Sequence, residues 1–204
     1  MSTYKAFSRA IFSLLLLISL SAFSGCASSG VSVHRLAENS TTDLSGDWND
    51  TDSRLVSKAM IGQVLSEAWL ENYIRKNQRK PVLIVGRIKN RSHEHINVQT
   101  FVKDIERALI NSGEVDFVAS STERGQIREE RVDQALNASE ETQKGPGQET
   151  GADFMVIGSI ASIIDKVGGE KVKFYQINLE LINLENNRKV WIGEKKIKKA
   201  VSQS

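Results

Sequence analysis

Three groups of side chains in this sequence have types and spacings that chemistry uses. Residues 44–55, LSGDWNDTDSRL, crowd Asp47, Asn49, Asp50 and Asp52 around Trp48, as a calcium loop or a catalytic carboxylate cluster would. His93 and His95 could present two imidazoles along one edge of an extended loop. Cys26 is the single cysteine of 204 residues, which excludes a disulfide framework and a cysteine metal cluster. Counted from Asp47, an EF-hand loop needs glycine sixth and glutamate twelfth, but Asp52 and Lys58 stand there. As the start of a helix the stretch fits better: Thr51 or Asp50 can cap free N–H groups and Asp52 sits near the positive end of the dipole. The histidines have no third ligand close in sequence, so a solvated loop is the simpler reading. No Gly-x-Ser-x-Gly elbow, Walker loop or Gly-x-Gly-x-x-Gly occurs, and the one Ser-x-x-Lys match is Ser2–Lys5. No catalytic residue, metal site or cofactor is therefore expected, and the chain reads as a binding protein rather than an enzyme.

The N-terminus says where such a protein would work. Lys5 and Arg9 precede the apolar run 10–20, which is too short to span a bilayer, and small residues follow it. That is the pattern of a secretory signal peptide. Ser24-Gly25-Cys26 resembles the bacterial lipoprotein box, with Phe23 where leucine is usual. It implies removal of residues 1–25 and acylation of Cys26, and firm anchoring through several acyl chains. Ala27, in place of the aspartate that resembles an inner-membrane retention signal, points to the periplasmic face of the outer membrane. Cleavage would remove Lys5 and Arg9 from the 27 basic residues and none of the 25 acidic ones, leaving a formal charge of zero. Nucleic acid is not an expected partner.

Residues 27–43 are small, polar and aperiodic, as a flexible tether after Cys26 would be. Stretched out, that tether reaches ~60 Å at about 3.5 Å per residue. Residues 44–204 suit a single domain. Apolar spacing predicts one helix from about Ser53 to Tyr73, with Trp48 anchored beside its start. Pro81 introduces a buried strand over 82–88, followed by a polar loop at 89–97. A second helix is framed by Asn97 as N-cap and Gly113 as stop. A strand follows at 114–120. Ser120 and Glu123 have the form of a capping box ahead of a charged surface helix. Strands at 153–164, 171–184 and 189–199 close the chain, with hairpin turns at Gly168-Gly169 and Glu185-Asn186-Asn187. Helices with the first strands and a meander last give an α+β fold, a small mixed sheet with helices packed on one face.

The stretches DLSGDWNDTDSRLV, KPVLIVGRIKNRSHEHIN, FVKDIERALINSGEVDFVAS, REERVDQALNASEET, ETGADFMVIGSI and FYQINLELINLENNRKVWIGEKKIKK occur in that order. Together they resemble the penicillin-binding protein activator LpoB family. The resemblance implies a sheet-and-helix domain similar to the N-terminal domain of TolB. It also implies an outer-membrane lipoprotein that docks on a bifunctional peptidoglycan synthase (a penicillin-binding protein) and stimulates it, without activity of its own. The best-known activators of that family carry a long proline-rich tether; residues 27–43 here are short and have no proline. A structural or secretion-channel lipoprotein related to the curli-secretion lipoproteins is the alternative. Its membrane hairpins need an alternating apolar face, which Lys195, Lys196, Lys198 and Lys199 deny the last strand.

The docking surface can be placed by alternation along 171–184. Tyr175, Ile177, Leu179 and Leu181 fall on one side, apolar enough to lie under the helices. Phe174, Gln176, Asn178 and Glu180 fall on the other. An aromatic beside amides on an open sheet is the expected partner-binding patch.

Overall fold

The computed structural model describes residues 31–145, 147 and 149–202; the expected signal peptide, Cys26 and the first residues of the expected tether lie outside them. Residues 31–38 belong to a separate N-terminal unit and carry no helix or strand. The folded unit begins at Asn39.

Helix α1 spans Asp50–Ser66 and α2 Ala68–Asn77. The single helix expected over 53–73 is thus two, because Glu67 is extended at φ −84°, ψ 152°. The indole of Trp69 donates to the Val64 carbonyl at 2.6 Å, satisfying one of the acceptors the first helix leaves free at its end. The turn also lets Trp69 and Tyr73 meet Phe154 edge-on at 5.1 and 5.3 Å. The cap of α1 is Asn49, one residue before the expected Asp50 and two before Thr51. Its side chain accepts from Asp52 N, and the Asp52 carboxylate accepts from Asn49 N at 3.0 Å.

Strand β1, Val82–Arg91, runs three residues past the expected end, into the segment read as loop. Helix α3 is Val98–Ser112, with Asn97 capping it and Gly113 ending it as expected. Strand β2 is only Asp116–Phe117, because pairing with β1 stops at Leu83. Helix α4, Ser121–Asn137, opens with the Ser120–Glu123 capping box and buries no residue fully. Strands β3 (Phe154–Val167), β4 (Glu170–Asn183) and β5 (Lys189–Ser202) make the meander. Gly168 and Gly169 join β3 to β4 with φ of +55° and +87°, positive at both turn positions as the tight hairpin requires.

The five strands form one sheet in the order β2-β1-β3-β4-β5, parallel at β2-β1-β3 and antiparallel from β3 onward. This is the α+β mixed sheet expected. Val56, Met60 and Val64 of α1 and Phe101, Ile105 and Leu109 of α3 close over its inner face. There they meet Leu83, Val85, Ile160, Tyr175, Ile177, Leu179 and Leu181. Removing these side chains from water is the dominant favourable contribution to folding, ~1.5–3 kcal/mol for each large one. Among the described residues no helix is long and apolar enough to cross a membrane.

Candidate functional site

The acidic stretch that opens the folded unit forms a clasp on the sheet. Lys173 stands two positions before Tyr175 on β4, so alternation turns it inward, where it is 1% exposed. Its ammonium pairs with Glu94 Oε1 at 2.7 Å and with Asp47. Glu94 also accepts from the Tyr175 hydroxyl at 2.7 Å and, through Oε2, from the Trp48 amide at 3.0 Å. On β5, Lys199 donates to Asp43 at 2.6 Å, to Asp52 at 2.7 Å and to the Asp47 carbonyl at 3.2 Å. Gly46 completes the clasp. Its carbonyl oxygen stands 3.2 Å from the Tyr175 hydroxyl, sharing with Glu94 the one proton that hydroxyl can donate; the residue has φ +69° and lies so near Val201 that a Cβ would collide with it.

The electrostatics follow from those contacts. Burial pushes the Tyr175 phenol up, and its bond to the Glu94 carboxylate pushes further the same way. Burial opposes the charge on Lys199, but its bonds to Asp43 and Asp52 outweigh that and raise its pKa. Burial and then neighbouring Lys199 lower the Lys173 ammonium, while Glu94 and Asp47 supply its counter-charge. So Asp43, Asp47 and Asp52 face lysines on the last two strands, and Trp48 packs edge-on against Phe101 and Tyr175 at 5.9 and 5.7 Å. The ordered hold begins earlier than residue 44: the Asn39 and Ser40 carbonyls accept from Arg54 and Thr51 of α1. His93 is also engaged, its backbone N–H donating to Ser162 Oγ at 3.0 Å.

Among the described residues no such clasp covers the opposite face of the sheet. Phe174, Gln176, Asn178 and Glu180 all lie on it, half-buried, while Tyr175, Ile177, Leu179 and Leu181 alternate with them into the core. Gln176 donates weakly to Asn178 at 3.5 Å, and Glu180 pairs with Lys189 at 2.8 Å. Register brings Ile163, 66% exposed, beside Phe174, and Ile192, 61% exposed, beside Glu180. Ser159 and Ala161 of β3 lie next to Asn178 and Gln176 as a low floor. Cross-strand neighbours of this kind depend on register, which a single strand's alternation does not give.

The family model of the peptidoglycan-synthase activator LpoB matches residues 52–197. No curated protein matches. Among solved structures, the LpoB C-terminal domain from Escherichia coli is similar at 19% identity and a TM-score of 0.44, covering 74% of this chain and 99% of that one. The NMR structure of E. coli LpoB is 16% identical, with a TM-score of 0.40 over 89% of this chain and 85% of that one. Lipoprotein GNA1162 from Neisseria meningitidis is 15% identical, with a TM-score of 0.39 over 61% and 86%. The family match runs from Asp52 in the first turn of α1 to Ile197 in the last strand, well over half of the chain, so the chain belongs to the LpoB family of peptidoglycan-synthase activators.

Proposed function

We propose that this chain is an outer-membrane lipoprotein, acylated at Cys26, whose folded unit binds a bifunctional penicillin-binding protein and stimulates its glycan polymerisation and crosslinking. In this reading it has no catalysis, metal or cofactor of its own. The observation that carries the docking site is the open sheet face in a chain of an activator family. Phe174, Gln176, Asn178 and Glu180 sit together on it, and the helices occupy the other face. A half-exposed aromatic flanked by amides offers area and hydrogen bonds to a protein surface at little conformational cost. The secretion-channel alternative gains no support from β5, where Lys196 and Lys198 point to the open face and Lys195 and Lys199 to the other.

The test replaces Gln176, Asn178 and Glu180 together by alanine and measures stimulation of purified synthase. Stimulation should fall while the melting temperature stays within about 1–2 °C, since changes at partly exposed positions cost little. Wild-type stimulation by that variant would move docking to the helical face or to the segment after β1.

A further inference from the structure

Four cations frame the proposed docking patch. Arg91 of β1, Ala161 of β3, Gln176 of β4 and Lys196 of β5 lie in one row across the sheet. The neighbouring row is Lys89, Ser159, Asn178 and Glu194, and the next places Lys198 beside Phe174. Lys89, Arg91, Lys196 and Lys198 are all exposed. Among the described residues Lys196 pairs with Glu194 at 2.6 Å, and no carboxylate lies in ion-pair reach of Lys89, Arg91 or Lys198. Three strand spacings of about 4.8 Å separate β1 from β5, so basic side chains flank both sides of a strip ~14 Å wide, with Glu194 the carboxylate among them. Small side chains and amides make its floor.

We infer that this face selects an acidic surface of the synthase, one that sets carboxylates against Lys89 and Arg91 on one side and Lys196 and Lys198 on the other. This rests on the docking face proposed above. Like charges held around a patch in a chain whose mature net charge is zero lower the free energy of meeting the opposite charge and speed the encounter. The floor argues for protein over lipid. Lipid packed on Gln176 and Asn178 would strip their amides of water without replacing the hydrogen bonds, whereas a protein backbone can pair with them. Lysines on an edge strand such as β5 also discourage sheet-to-sheet aggregation, a role that needs no partner.

The experiment measures binding of the full acylated chain, in detergent, to the purified bifunctional synthases encoded in its own genome. The pairs Lys89→Glu with Arg91→Glu, and Lys196→Glu with Lys198→Glu, are compared with wild type and with the triple alanine variant. Wild-type affinity should fall at least about tenfold between 50 and 300 mM salt, as screening shortens the reach of the charges. Each reversed pair should bind ~10–100-fold more weakly at low salt, mainly through slower association, and lose most of the salt dependence. If the reversed pairs bind like wild type while the triple variant does not, the acidic partner surface is wrong and the docking face stands. If neither set changes binding, the docking face itself is wrong. Reversed pairs that keep the synthase but lose purified peptidoglycan or anionic vesicles would also overturn the inference, as would pairs that only self-associate.

Discussion

Glu94 joins three parts of the fold that are far apart in sequence. It neutralises Lys173, accepts from the Tyr175 hydroxyl and holds the Trp48 amide, with Lys173 79 residues away. Glu94→Ala should therefore cost about 2–4 kcal/mol, near the range for breaking one side of a buried pair and eased by Asp47, which still faces Lys173. Glu94→Gln, which keeps the shape and one acceptor, should cost less, and urea denaturation of both variants decides. Equal, small losses would mean that Asp47 alone carries the buried lysine. Little of this clasp was legible in the sequence. Alternation along β4 does turn Lys173 inward, but at the strand's end a lysine reads as solvated. Glu94 lies in a polar stretch, and its partners are set by tertiary contact rather than by any local spacing. The open-face residues were legible because period two needs nothing beyond the strand itself.

Elements were legible where their ends carry their own chemistry. Helix α3 has Asn97 accepting from Gln99 N and Gly113 in the left-handed region, both local signals. The break at Glu67 has no glycine or proline to announce it; it depends on the Trp69 indole reaching the Val64 carbonyl, and on Phe154 waiting across the sheet. Strand β2 fell short because strand propensity cannot foresee how many residues of a neighbour are free to pair. Helix α4 is held by its start, which makes its stability depend on pH. The Lys103 ammonium, then the Ser120 backbone bond, hold the Glu123 carboxyl at about 2 against an ordinary 4.5. A folded pKa below the unfolded one stabilises fully above pH 4.5 and is lost as pH falls toward 2. Because Glu123 is 44% exposed, the ion pair contributes only about 0.5–1 kcal/mol. Glu123→Gln should lose that amount at pH 7 and nothing near pH 2, measured by denaturant unfolding across the range. A difference that persists at pH 2 would assign the effect to the capping bond instead.

For the whole molecule, the clasp shortens what can act as a tether. Residues 39–43 are bonded to α1 and to Lys199, so under the proposed anchoring a tether would have at most 27–38 to draw on rather than 27–43. Stretched, such a tether would reach about 40 Å at about 3.5 Å per residue, and as a coil it would average ~20 Å. Within the folded unit the 14-residue strands run roughly 46 Å at about 3.3 Å per residue. Docking and reach then become separable. In detergent with purified synthase, deleting residues 31–36 should leave stimulation unchanged, and so should Cys26→Ala, because both partners diffuse freely. In cells the deletion should abolish function, and a flexible insertion at the same place should not, because a coil's reach grows with length while its entropic cost rises only by about 0.6 kcal/mol per doubling. Loss of stimulation in detergent on deletion would show that residues 31–36 touch the synthase themselves, and a deletion tolerated in cells would show that reach does not limit the activator.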